Sequence, residues 1–220
     1  HKEQFRRVDE LRRQVAAASE ARLEERTAAD ARALYVRYYK LLCSMEQRFE
    51  VAELRLTFPW RDAFQSGMRQ GEADLRFERA AVLFNVASAV TFEAASQNRR
   101  SAEGIRRACK QFQEAAGVLH AVAALVGEAA WGASASVDLA PRTLATLASL
   151  MLAQAQRCFY EKAEQDAMSP KLLSKIAAQV ALLYAEVLSA LRAPPLSKHM
   201  GSHDGSWASI CEANHKMFGA

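Results

Sequence analysis

Turn-forming residues are scarce in this chain. Nine Gly and five Pro among 220 residues leave little of the turn chemistry that a β-sandwich requires. The long stretches between them carry apolar residues every three or four positions, which puts those side chains on one face of an α-helix. A mostly α chain is the expectation. Half of the residues are apolar and a quarter charged, enough for one globular domain with a buried core, and unlike disordered or collagen-like chains.

Phe5, Val8, Leu11 and Val15 predict a first amphipathic helix, with Arg6, Arg7, Arg12 and Arg13 largely on its other faces. Thr27-Ala28-Ala29-Asp30 resembles a capping box with Asp in place of Glu or Gln. Leu34, Tyr38, Leu41, Met45 and Phe49 then form the stripe of a second helix. The pattern breaks from Leu54 to Trp60, where Pro59 and the run Leu56-Thr57-Phe58 predict an extended surface connector. A third helix is expected from about Glu72 to Ser96. Its middle, Ala80 to Val90, is apolar nearly all round and so should touch neighbours on several sides. Asn85 lies within it, and an unpaired amide there would cost about 1–3 kcal/mol, so a bond to a neighbouring helix or loop is expected.

Ser101 is placed to cap a fourth helix running to about Val126, followed by a loop containing Gly127, Gly132 and Ala133-Ser134-Ala135-Ser136. Pro141 opens a fifth helix and Ser169-Pro170 a sixth, because proline at the first helical position lacks only an N–H that would have no partner there. Pro194-Pro195 closes the sixth, and a last helical segment begins near Ser206. Long segments joined by short turns imply antiparallel hairpins side by side, as in a solenoid, although no regular repeat period is present. His1 enters almost directly into helix pattern, and apolar residues are still arriving at helical spacing at the C-terminus, which reads as part of a larger domain.

The charge of +4 and pI near 9.0 favour acidic partners only mildly, since basic and acidic residues are interspersed. Cys43, Cys109, Cys158 and Cys211 are widely spaced and read as reduced thiols of a cytoplasmic protein. There is neither a secretory signal pattern nor an uninterrupted apolar run long enough to span a bilayer. Phosphate-loop, dinucleotide, serine-hydrolase and zinc-protease signatures are all missing. No catalytic residue, cofactor or small-molecule substrate is therefore expected. His199, His203, Cys211 and His215 carry zinc-ligand chemistry, but Gly201 and Gly205 interrupt the helix that an i, i+4 His pair needs, so no metal is expected either. Arg99, Arg100, Arg106, Arg107 and Lys110 form the densest basic patch. It reads as a solvated face, and without interleaved aromatics no nucleic acid partner is indicated.

Near the turn joining the fifth and sixth helices, Phe159 and Tyr160 come before it and Leu172 and Ile176 after it, flanked by Lys162, Lys171 and Lys175. Such a strip suits an acidic amphipathic helix laid in a groove. Periodicity alone favours Leu172 and Ile176 as ordinary core residues of the hairpin.

Several runs carry a family likeness. Arg37-Tyr38-Tyr39, Cys43-Ser44-Met45-Glu46-Gln47-Arg48-Phe49, Leu56-Thr57-Phe58-Pro59-Trp60-Arg61-Asp62-Ala63-Phe64 and Val82-Leu83-Phe84-Asn85 resemble the BRO domain of ALIX-type proteins. Glu103-Gly104, Gln113-Glu114-Ala115-Ala116-Gly117, Val137-Asp138-Leu139-Ala140-Pro141 and Met151-Leu152-Ala153-Gln154-Ala155-Gln156 continue it in order. The resemblance implies an all-α, boomerang-shaped domain of antiparallel hairpins forming a curved tetratricopeptide-like solenoid, of which residues 1–220 are a single fragment incomplete at both ends. It also implies a non-enzymatic adaptor of the ESCRT pathway, cytoplasmic and recruited to endosomes, with peripheral association with their membrane. The implied partner is the C-terminal amphipathic helix of an ESCRT-III subunit. By position Phe159, Leu172 and Ile176 would form its hydrophobic pocket, with Lys110 and Lys162 at the charged margin. A scaffold module like that of rhophilins or phosphatase-related BRO proteins is the alternative within the same likeness. Ala102 stands where ALIX-type proteins place an acidic residue, and the loop near Gly67 lacks their exposed aromatic.

Overall fold

The structure, a computed structural model, describes residues 2–21, 23–24, 27–48, 56–199 and 205–219. Helices α1 (Lys2–Glu20) and α2 (Ala28–Glu46) are followed by a β-hairpin of β1 (Phe58–Arg61) and β2 (Arg69–Glu72). Then come α3 (Leu75–Ala95), α4 (Ala102–Gly127), a 3-10 turn at Ala130–Ser134, α5 (Pro141–Gln165), α6 (Pro170–Leu191), short α7 (Leu196–His199) and α8 (Gly205–Gly219). From α2 to α6 each helix packs on the next in sequence, and α8 packs on α6. Antiparallel helical hairpins thus stack in a solenoid, and the mostly α reading holds.

Local chemistry sets the helix starts. Ser101 accepts a hydrogen bond from Gly104 N–H at 3.0 Å, and Asp74 accepts from Arg76 N–H at 2.9 Å. Gly104 is required by close approach, because a Cβ there would lie 2.0 Å from the carbonyl oxygen of Asn98. Small residues let the rods come together: Ala80, Ala89 and Ala94 of α3, Ala108 and Ala115 of α4, and Ala153 of α5 are fully buried. They pack with Val82, Val90, Val122 and Leu144 in one continuous core.

Several expectations need correction. Thr27 does not cap α2 with its side chain; its hydroxyl exchanges bonds with the backbone of Glu24 instead. Of the predicted α2 stripe Tyr38 is buried, but Leu34, Leu41 and Met45 are only half-buried; the fully covered face is Ala28, Ala31, Tyr35, Tyr38 and Leu42, because α1 and α3 press on a face rotated from the predicted one. Glu72 ends β2, and α3 begins at Leu75 behind the Asp74 cap. The expected loop after α4 contains the 3-10 turn. Asn85 is half-buried, and its amide donates to Ala81 O of its own helix rather than to a neighbour. Phe49 and Leu54, the Phe5 side chain and His203 lie outside the described residues. The extended run that starts near Leu56 becomes β1, paired antiparallel with β2 from Phe58 opposite Glu72 to Arg61 opposite Arg69.

Polar clasps hold the hairpin to the stack. Asp62 accepts from the N–H groups of Phe64, Gln65 and Val137, while Asp138 accepts from Ala63 N–H at 3.0 Å and from the Ser136 hydroxyl at 2.6 Å. Two buried carboxylates thereby exchange donors across the hairpin loop and the segment before α5. Burial, aided by the charge of Asp62, lifts the Asp138 carboxyl above its ordinary range against the pull of Ser136.

Deeper still is Glu78 of α3, with no exposed surface. It receives the hydroxyl of Tyr38 at 2.8 Å and the indole N–H of Trp60, and pairs with Arg12 Nε at 3.1 Å. Burial holds its carboxyl above the ordinary value of 4.5, while Arg12, Trp60 and Tyr38 pull the other way. The folded state therefore binds this proton more tightly than the unfolded chain does. That contribution to stability is complete below the ordinary glutamate range and is lost as pH rises through the raised folded value. Urea unfolding at stepped pH should show this fall in the wild type and its removal in Glu78→Gln; parallel curves would refute the assignment. Arg12→Ala, which strands a buried carboxylate, should destabilise by about 3 kcal/mol at neutral pH.

Candidate functional site

The end of the α5–α6 hairpin is built by a tight helix stop. Met168 N–H bonds Ala163 O at 3.1 Å and Ala167 N–H bonds Glu164 O at 3.0 Å, the paired pattern that closes a helix when the next residue turns left-handed. That residue is Ala167, at φ 52°, where glycine is usual. Ser169 O then accepts from Leu172 and Leu173 N–H and starts α6 behind Pro170. Only four residues separate the rods, so α6 returns along α5. At 1.5 Å rise per residue, Phe159 and Ile176 each stand about 9 Å from the turn, at one level of the hairpin.

Around α5 most directions are taken. Cys158 is fully buried, and burial pushes its thiol up to about 12. Tyr160 packs edge-on against Phe218 of α8, ring centroids 4.9 Å apart. Glu161 pairs with Arg99 at 2.6 Å and Arg157 at 3.1 Å, and Arg157 also donates to Asn214 of α8 at 2.9 Å. Phe159, about 100° round the helix from each neighbour, is left on the open side and is 51% exposed. Two turns earlier on that side stands Leu152, also exposed.

The five residues expected at a partner site fall in different places. Phe159 and Leu172 are exposed apolar side chains, Leu172 at 43%. Ile176 is buried at 7%, outside the main core cluster. Lys110 is exposed on α4. Lys162 is half-buried and held by Asp166 one turn along α5. Lys171 and Lys175 are exposed on α6. Among the described residues, no group of three His, Cys, Asp or Glu side chains is arranged to hold a metal ion. Of the zinc-type residues, Cys211 is buried and His215 Nδ1 lies 3.0 Å from Ala181 O.

Among the described helices, α6 alone is long and apolar enough to cross a membrane by length and composition. In the fold it lies between α5 and α8, with Val180, Tyr184 and Val187 fully buried.

Sequence reasoning missed a cleft of ≈ 530 Å³ between α1, the hairpin and α3, which draws no lining residue from α5 or α6. A signal was present, since Trp60-Arg61-Asp62-Ala63 and Phe84-Asn85, both within runs that carry the family likeness, converge on it.

Comparison with known proteins bears on the whole chain. A model of the BRO1-like domain matches residues 1–220. The chain is 42% identical over 195 residues to "ALG-2 interacting protein X" of Dictyostelium discoideum, covering 83% of this chain and 24% of that protein. It is 32% identical over 203 residues to "Vacuolar-sorting protein BRO1" of Arabidopsis thaliana, covering 90% of this chain and 24% of that protein. It thus spans about a quarter of the length of these relatives. A solved "ALIX BRO1 CHMP4C complex" superposes with a TM-score of 0.77 at 29% identity, over 100% of this chain and 63% of that one.

The different burial of two neighbouring aliphatics has a measurable consequence. Ile176→Ala should cost about 2 kcal/mol or more in urea unfolding, because it opens a void under the hairpin surface. Leu172→Ala should cost less than about 1 kcal/mol. Equal losses would contradict the placement.

Proposed function

Because the chain belongs to the BRO1-like domain family, we propose that it serves as a non-enzymatic adaptor of the ESCRT pathway. Residues 1–220 act as one unit, and its α5–α6 surface receives the C-terminal amphipathic helix of an ESCRT-III subunit. The observation that carries this reading is the exposure of the large apolar side chains Phe159 and Leu172 on either side of the α5–α6 turn, with exposed Lys171 and Lys175 beside Leu172 on α6. The solved complex of a related BRO1 domain with CHMP4C supports the class of partner.

Docking here is the helix-in-groove mode. Phe159 and Leu172 are covered by apolar side chains of the incoming helix, while Ile176 below stiffens the floor. Lys110, Lys162, Lys171 and Lys175 orient acidic groups on its flanks and speed encounter more than they add affinity. With Ala102 where an acidic anchor stands in ALIX-type proteins, basic residues of the partner have one contact fewer, which favours tails with an acidic flank. Recruitment from cytoplasm to endosomes then follows the partner, with membrane association peripheral.

Leu172→Asp tests the surface, since an unpaired charge beneath a docked apolar face costs several kcal/mol. Titration with a fluorescent ESCRT-III tail peptide should show a loss of at least about 100-fold, or ~2.7 kcal/mol. The helical circular dichroism should stay unchanged, because Leu172 is exposed. Binding retained at wild-type strength would remove this surface from the mechanism.

A further inference from the structure

Of the five prolines in the chain, only Pro170 follows a Ser or Thr. Ser169-Pro170 lies in the turn that ends the proposed docking surface, and both residues are exposed. The Ser169 carbonyl is engaged, accepting from Leu172 N–H at 2.9 Å and Leu173 N–H at 3.0 Å. Its side chain makes no capping bond. At φ −58°, ψ 144°, Ser169 has the extended backbone that a following proline imposes, with exposed Met168 before it. Ser169 is thus an exposed, extended serine directly before a proline that opens α6, and proline-directed kinases require that Ser-Pro order.

We propose that Ser169 is a phosphorylation site for a proline-directed serine kinase, and that phosphate there closes the α5–α6 surface to an acidic partner helix. The second half rests on the docking reading above. In the transfer the Ser169 Oγ attacks the γ-phosphorus of ATP and forms the new O–P bond. The bond from that phosphorus to the β,γ-bridging oxygen breaks, the hydroxyl proton passes to the kinase's base, and ADP leaves.

The product changes a neutral hydroxyl into a group of charge near −2 at neutral pH. It stands three residues before Leu172 and two before Lys171. Lys175 lies one turn further along α6, and the Lys162–Asp166 pair stands at the facing end of α5. Arg100 is tied to the same end through its carbonyl, which accepts from Gln165 Nε2 at 3.3 Å. Phosphate oxygens compete for these cations, which would otherwise meet acidic groups of the partner. They also place a hydrated anion beside the apolar contact at Leu172. Both effects act against an acidic helix.

The test treats the 220-residue chain, Ser169→Ala and Pro170→Ala with ATP and a proline-directed kinase, maps the phosphate by peptide fragmentation, and titrates each product with the ESCRT-III tail peptide. Phosphate is expected on Ser169 of the wild type and not on that residue of Pro170→Ala. The phosphorylated chain should bind about tenfold more weakly, with recovery on phosphatase treatment and an unchanged helical spectrum. Phosphate absent from Ser169, or found there equally in Pro170→Ala, overturns the site. Unchanged affinity of a phosphorylated chain overturns the regulation. If the unmodified chain does not bind the tail, the docking reading fails and the regulation with it, whereas the phosphate map still decides the site.

Discussion

A carboxylate sealed inside the protein sets the start of the stack. Glu78 has no contact with water, so its charge is tolerable only while Arg12, Tyr38 and Trp60 converge on it. These partners come from α1, α2 and β1, and none is near the others in sequence. One buried group therefore holds the first two helices and the hairpin against α3 in a single arrangement. Arg12 adds a second tie, donating to Pro59 O at 3.3 Å and lying over the Trp60 ring. From α3 onward the architecture needs only neighbour-on-neighbour packing, in the manner of a solenoid.

That mode of assembly explains why the proposed partner surface lies on α5 and α6. In a stack, each rod gives two faces to its neighbours and keeps one for solvent. On α5 the packed faces carry Cys158, Tyr160 and the Glu161 ion pairs, so Phe159 and Leu152 are left outward. The α8 helix strengthens this division: Phe218 and Asn214 fix Tyr160 and Arg157, and thereby the rotation of α5 itself. The proposed docking surface is what the other faces leave over once they are packed. The Ser-Pro turn lies at its open end, where the backbone is engaged and the side chain is free.

Much of the helical plan was legible from short-range chemistry. Ser101, Pro141 and Pro170 mark helix starts through backbone constraints that act within one turn, and the helices begin within a residue of them. The second helix shows the limit. Leu34, Tyr38, Leu41 and Met45 have the spacing of a buried stripe, yet of these α2 fully buries only Tyr38, together with Tyr35 and Leu42. Apolar residues lie on more than one face there, and only the neighbours decide which face is covered. The hairpin was hidden for a related reason, since two four-residue strands carry too little alternation to be read without their pairing.

What the amino-acid order settles alone is where the rods from α4 to α6 begin, that they pack as hairpins, and which residue types stand near the α5–α6 turn, because propensity, capping and periodicity act over a few residues. Which of those side chains meets water was decided by the tertiary structure. Phe159, Leu172 and Ile176 have the same apolar character and similar spacing, yet the first two are exposed and the third is covered. That difference depends on the rotation of α5 against α8 and of α6 against α5, set by contacts between residues as far apart as Tyr160 and Phe218. Burial is a property of the assembled rods, and no window along the chain contains it.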